Sequence, residues 1–138
     1  MRHSIVARSG ASYGAQFGAI YADNGAIIEI AHSILQHNLE TLTYASVKAV
    51  DSTLTITNST LETTAYGIWV RDCTVNISHN NIQNNVLYGM YNAGSTTVNV
   101  PDNWWGAVNG PAPHGSGNAI NVPNVYVIPW SPAPLSIE

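Results

Sequence analysis

Four residues, Tyr21, Lys48, Trp69 and Tyr91, each stand directly after an apolar one: Ile20, Val47, Ile68 and Met90. In an extended strand successive side chains point to opposite faces, so an apolar residue that turns inward leaves its successor outward. Two tyrosines, a tryptophan and a lysine would then line one outer face. That combination suits sugars, whose C–H faces pack on aromatic rings while their hydroxyls meet polar groups at the ring edges. Against this stands a plainer account: aromatic residues favour strand positions in any case. The segment from Asn38 to Ser46 is also placed to lie over the row.

Beside the row lie Arg71, Asp72 and Asp51, with Asp23 and Asn24 at the matching place of the first repeat. Asp51 and Asp72 on adjacent strands could offer oxygen ligands to Ca²⁺; no other cofactor is implied. Alternatively one carboxylate pairs with Arg71, or acts as the base of a lyase in which Lys48 or Arg71 steadies the developing anion. Asp and Asn also favour tight corners, which accounts for the same residues without any chemistry. A further column holds His32, Asn58, His79 and Asp102, with Ser33, Ser59, Asn80 and Asn103 beside it. Two histidines separated by two strand spacings, roughly 10 Å, cannot share a metal whose bonds to nitrogen are about 2 Å. Both columns therefore read as turn ladders. His3, His37 and His114 fall in no metal-ligand spacing. The lone Cys73 excludes an internal disulfide and reads as a small buried thiol. No Gly-rich phosphate loop, nucleophile elbow or metalloprotease signature is present.

What must position these side chains is a repeat, most complete between Tyr66 and Asn85. Its alternating pair Val75/Ile77 recurs as Ile28/Ile30, Leu54/Ile56 and Val98/Val100, at steps of 26, 21 and 23 residues from the first pair to the last. Spacing of this size is the signature of a stacked repeat. Leu35, Leu61, Ile82 and Trp105 follow the pairs in the same register, and Ile20, Val47, Ile68 and Met90 open the preceding strands. Three strand columns then stack in parallel, because a single repeat cannot bury its apolar face alone.

The 138 residues make one small domain, with 45% hydrophobic but only 9% charged residues. Outer faces must therefore be Thr, Ser, Asn and Gln rather than a charged helical surface. A net charge of −4 with four basic residues excludes electrostatic nucleic-acid binding, which needs clustered Lys and Arg. No apolar stretch reaches the ~18 residues of a membrane span. Met1 to Val6 contains no signal-peptide core, so a secreted parent has shed its leader from this chain. The triplets Asn58-Ser59-Thr60 and Asn76-Ile77-Ser78 match the glycosylation acceptor pattern, but an Asn/Ser/Thr-rich chain produces them by chance.

Taken in order, residues 1–17 are a lead-in or the remnant of an upstream coil, 18–106 are the coils, and 107–138 are an extended capping tail. The extra residues of the longest step fall between Asn38 and Ser46 as a looped-out bulge. After Gly106 the period stops and prolines punctuate the chain. Trp104, Trp105, Trp130 and the run Val125 to Ile128 are suited to covering the last coil, whose strand edges would otherwise invite association. The amino-terminal end shows no comparable cap, so it joins upstream coils or another molecule.

The closing segment, Asn103-Trp104-Trp105-Gly106, Gly110-Pro111, Gly115, Gly117, Ile120, Val122 and Pro129-Trp130, resembles that of right-handed parallel β-helix proteins of the pectin-lyase-like superfamily. The openings Tyr66-Gly67-Ile68 and Tyr88-Gly89-Met90 and the Asn-rich corners resemble its repeats, so the likeness covers about residues 18–130. It implies an all-β, right-handed parallel β-helix of about four coils with a Trp/Pro-rich carboxy-terminal cap. It also implies a carbohydrate-related, extracellular or cell-surface role, shared there by lyases, hydrolases, epimerases, adhesins and surface-layer proteins. The Asp-Pro-His signature of the family's epimerases is absent, and an intact lyase is expected to have more coils. Three roles stay open: a glycan-binding module using Tyr21, Lys48, Trp69 and Tyr91; a stacking module that self-assembles through its amino-terminal end; and a fragment of a polysaccharide lyase or hydrolase using Lys48, Arg71, Asp51 and Asp72.

Overall fold

The computed structural model describes residues 5–7, 18–36 and 45–136. Their regular structure is all strand, and every strand pairing is parallel. The chain opens with β1 (Ile5–Ala7) and then makes β2 (Gly18–Ala22), β3 (Ile27–Ala31) and β4 (Ile34–Gln36). The same passage follows as β5 (Ala45–Val50), β6 (Thr53–Thr57) and β7 (Thr60–Glu62), and again as β8 (Tyr66–Arg71), β9 (Thr74–Ser78) and β10 (Asn81–Gln83). β11 (Tyr88–Asn92) and β12 (Val98–Asn99) begin another, and β13 (Pro111–Ala112), β14 (Gly117–Ala119) and β15 (Val125–Tyr126) lie in the tail.

Each passage feeds three sheets in the same order: β2, β5, β8 and β11 in the first, β3, β6 and β9 in the second, β1, β4, β7 and β10 in the third. The registers follow the apolar columns of the sequence. Ile20 pairs with Val47, Val47 with Ile68 and Ile68 with Met90. Ile30, Ile56 and Ile77 align in the second sheet, and Leu35, Leu61 and Ile82 in the third. Parallel sheets usually need helices to cover their faces. Here the inner faces of the three sheets cover one another, and these residues form one core with Leu54, Val70 and Trp105. Burying each such aliphatic side chain contributes about 1.5–3 kcal/mol.

The corners between sheets are set by backbone conformation. Between the second and third sheets His32, Asn58, His79 and Asp102 hold φ of 50°, 50°, 59° and 61°. Asn24, Asp51 and Asp72 do the same between the first and second, and Thr63 and Asn84 after the third. This left-handed region is crowded for most side chains, and Asn, Asp and His enter it most readily. Corner identity is thus dictated locally.

The tail departs from the expectation that periodicity ends at Gly106. Ile120 bridges to Met90 and Val125 pairs with Val98, so the first and second columns each receive one more member. Val125 and Val127 are buried in the common core as successors of Val98 and Val100. Trp105 is fully buried within that core. Trp104 bridges to Asn81, and Trp130 lies against Gly110, where an added Cβ would stand 2.6 Å from the indole. Residues 37–44 of the expected bulge, most of the 1–17 lead-in and the expected open amino-terminal end lie outside the described residues, as do His3 and His37. Within that lead-in, Ile5–Ala7 pairs with β4. Ser46 belongs to β5 rather than to a loop, and its hydroxyl shares a 2.9 Å hydrogen bond with that of Thr64.

Candidate functional site

Two sets of columns flank the core, one turned in and one turned out. The inner set follows each left-handed corner residue. Ser33 N–H donates to Ser59 Oγ (3.1 Å), Ser59 N–H to Asn80 Oδ1 (2.9 Å), and Asn80 N–H to Asn103 Oδ1 (3.0 Å). The amide of Asn80 also donates to the carbonyl of Ile56, and that of Asn103 to the carbonyl of Ile77. A second ladder runs Thr64, Asn85 and Asn118. All four members of the first are buried, so each needs the partners it has. These columns hold the sheets at fixed angles to one another and leave little polar capacity for a ligand. The expected turn ladder is therefore present, with its polar atoms facing in.

The outward row is in register across the first sheet. Tyr21 pairs with Lys48, Lys48 with Trp69 and Trp69 with Tyr91. Trp69 and Tyr91 stack with centroids 6.5 Å apart and planes 15° from parallel. Lys48 Nζ sits 4.2 Å from the Trp69 ring centre, a cation–π contact. Tyr21 is 38% exposed, and Lys48, Trp69 and Tyr91 are half-buried.

Two further rings belong to this face that the sequence reading does not include. Tyr66 and Tyr88 stack at 5.8 Å and 7°, and both lie edge-on to Tyr91, at 5.9 and 5.0 Å. Strict alternation places them on the side of Ile68 and Met90. The glycines that follow break that alternation: a Cβ on Gly67 would stand 2.5 Å from Gly89 O, and one on Gly89 2.8 Å from Asn118 Cβ. Close packing against the Asn85–Asn118 ladder thus needs Gly, and the tyrosine before it joins the outer cluster. The available signal was the repeated Tyr-Gly at the start of two adjacent strands.

The electrostatics of the face are one-sided. Its four strands contain Lys48 and Arg71 and no acidic residue. Burial, and then the charge of Arg71, push the Lys48 pKa below the ordinary lysine value. Burial, then Tyr91 and Tyr88, push the Tyr66 phenol above its ordinary value. Asp51 and Asp72 stand exposed at the adjoining corners, where the Asp51 N–H donates to the Arg71 carbonyl. Among the described residues no three His, Cys, Asp or Glu side chains gather in a way that could hold a metal. Asp51 and Asp72 thus have no third His, Cys, Asp or Glu gathered with them among the described residues. Cys73 occupies the place held by Ser52 one repeat earlier: its thiol donates to Arg71 O as the Ser52 hydroxyl donates to Val50 O.

The three tryptophans of the tail have separate roles. Trp104 N–H donates to Gln83 Oε1, whose amide in turn donates to Glu62. Trp130 N–H donates to Val108 O, and its ring stacks on His114. Trp105 fills the core. In comparisons with known proteins, no family model, no curated protein and no solved structure matches the chain.

Proposed function

We propose that this chain is a right-handed parallel β-helix module of about four coils with a Trp/Pro-rich cap, and that it binds glycan on the outer face of its first sheet as part of an extracellular or cell-surface protein. The handedness follows the rule that parallel crossovers are right-handed. The observation that carries the function is the registered stack of Lys48, Trp69 and Tyr91, extended sideways by Tyr66 and Tyr88. Neighbouring rings on successive strands, 5.8–6.5 Å apart, give this face an apolar strip, which suits the C–H face of a sugar chain. The cations Lys48 and Arg71, with no carboxylate on the same four strands, favour sugars that carry negative charge.

A titration with neutral and acidic polysaccharides, read by tryptophan fluorescence, tests this. Saturable binding in the parent that disappears in Trp69→Ala, checked by calorimetry because the substitution also removes the reporter, is the expected result; Trp104, Trp105 and Trp130 serve as the unchanged background. Absence of binding across both classes would overturn the glycan reading. A structural, stacking role is the second reading, favoured by the exposed apolar side chains Val122, Tyr126 and Ile128 at the carboxy-terminal end. Pro123 and Pro129 flank that exposed strand and blunt its edge, which weighs against it. Concentration-dependent association measured by light scattering, lost in Tyr126→Lys, would favour stacking.

A further inference from the structure

The outward row does not end in another ring. Ile120 bridges to Met90, so Asn121 holds the position that follows Tyr91 in the column. Its side chain is drawn back toward the neighbouring strand: Oδ1 accepts from Asn92 N–H (2.8 Å) and Nδ2 donates to Asn92 O (2.7 Å). Where the strip would continue there is instead a shallow, open cleft of about 360 Å³, whose lining includes Tyr88, Ala112, Pro113, Ile120, Asn121 and Val122. Tyr88 belongs to both the cleft and the aromatic cluster, with its ring centre 5.0 Å from that of Tyr91. The strip and the cleft are therefore one continuous surface.

The chemistry of the cleft differs from that of the strip. No charged residue lines it, and the one amide on its wall is already committed to Asn92. Of the side chains that line it, only Tyr88 brings a hydroxyl, which can donate as well as accept. A bare sugar ring would bring several hydroxyls to a surface whose side chains offer few partners for them. A carboxylate would meet no cation. A small ester fits both features, its methyl group against Pro113, Ile120 and Val122 and its carbonyl toward a phenol.

We propose that this cleft is a subsite for the O-acetyl substituent of an acetylated glycan whose backbone lies along the row, an inference that rests on the glycan reading above. The test offers acetylated xylan, acetylated glucomannan and acetylated galacturonan, each paired with the same polymer after mild alkaline deacetylation. Titrations use the parent chain, Val122→Asp and Ala112→Leu, with circular dichroism to confirm that both variants fold. Burial of one methyl group predicts about fivefold tighter binding of the acetylated member of a pair. That preference disappears in both variants while binding of the deacetylated polymer is kept. Equal affinity within every pair would overturn the subsite and leave the glycan reading standing. A preference that survives in both variants would also overturn it, because the acetyl group would then be read elsewhere. Failure of every polymer to bind the parent would overturn both.

Discussion

The corner ladder of Ser33, Ser59, Asn80 and Asn103 and the outer row of Tyr21, Lys48, Trp69 and Tyr91 are built by the same device. In each, one position of the repeat stacks on its counterpart in the next strand. They differ in what their polar and apolar atoms meet. Ladder amides are buried and bonded to the backbone of two passages of the chain at once, so removing one orphans groups that water cannot reach. Rings of the row touch one another on one side and solvent on the other. The first column holds the fold together and has little spare bonding capacity; the second contributes less to stability and keeps part of its surface available. Stacking like on like thus yields either structure or a binding strip, depending on which way the column faces.

Asn80→Ala should break that comparison most strongly. It leaves the Ser59 N–H buried without a partner and strips the Ile56 carbonyl of its side-chain bond, for a loss of about 3 kcal/mol by urea unfolding. Asn80→Ser should recover part of the loss, since serine already serves this column at Ser33 and Ser59. Trp69→Ala should show the opposite profile. Its stability cost is smaller, about 1–2 kcal/mol, because the ring is half exposed, while glycan affinity falls at least tenfold in the same preparation.

Tyr66→Ala sharpens the boundary of the strip. Without a ring against Tyr88 and Tyr91, affinity should drop about threefold to tenfold, measured by calorimetry, with Tyr66→Phe close to the parent. Acidity gives a smaller effect with a definite sign. Lys48 is held below its ordinary pKa, so its charged form is disfavoured in the fold. The resulting penalty is present at neutral pH and is relieved as pH rises through the lowered value toward the ordinary lysine range. Affinity for an acidic glycan should decline over that same rise, and Lys48→Arg should move the decline to higher pH. The smallest change is expected at the corners. Asn58→Gly should alter stability by no more than about 0.5 kcal/mol in thermal unfolding, because glycine takes the same left-handed φ freely, whereas Asn58→Val should cost about 1–2 kcal/mol.

Much of this arrangement was legible in the chain. The alternating pairs and their successors predicted the strand registers, since a shift of one residue would expose every buried Ile, Leu and Val. The Asn, Asp and His at the corners read correctly as turn residues because the left-handed conformation is a local property of the backbone. Tyr66 and Tyr88 were not legible as members of the outer face, because alternation fails where Gly67 and Gly89 press against the Asn85–Asn118 ladder. The tail was harder still: Ile120 follows Met90 by 30 residues, beyond the spacing of the earlier repeats, and Val125 follows Val98 by 27, with prolines between them.

By itself, then, the sequence determined the strand columns, the left-handed corners and the outward row, because each depends on neighbours within a few residues or on a fixed period. Only the tertiary structure decided that four aromatic rings and a lysine gather into one cluster, that Asn121 folds back on Asn92, and that the tail supplies one more member to the first and second columns. Those outcomes depend mostly on contacts between residues 21 to 33 positions apart, and those made by the tail fall outside the regular spacing. What sets them is close packing around glycines and the need of each buried amide for a partner, neither of which has a period that can be read along the chain.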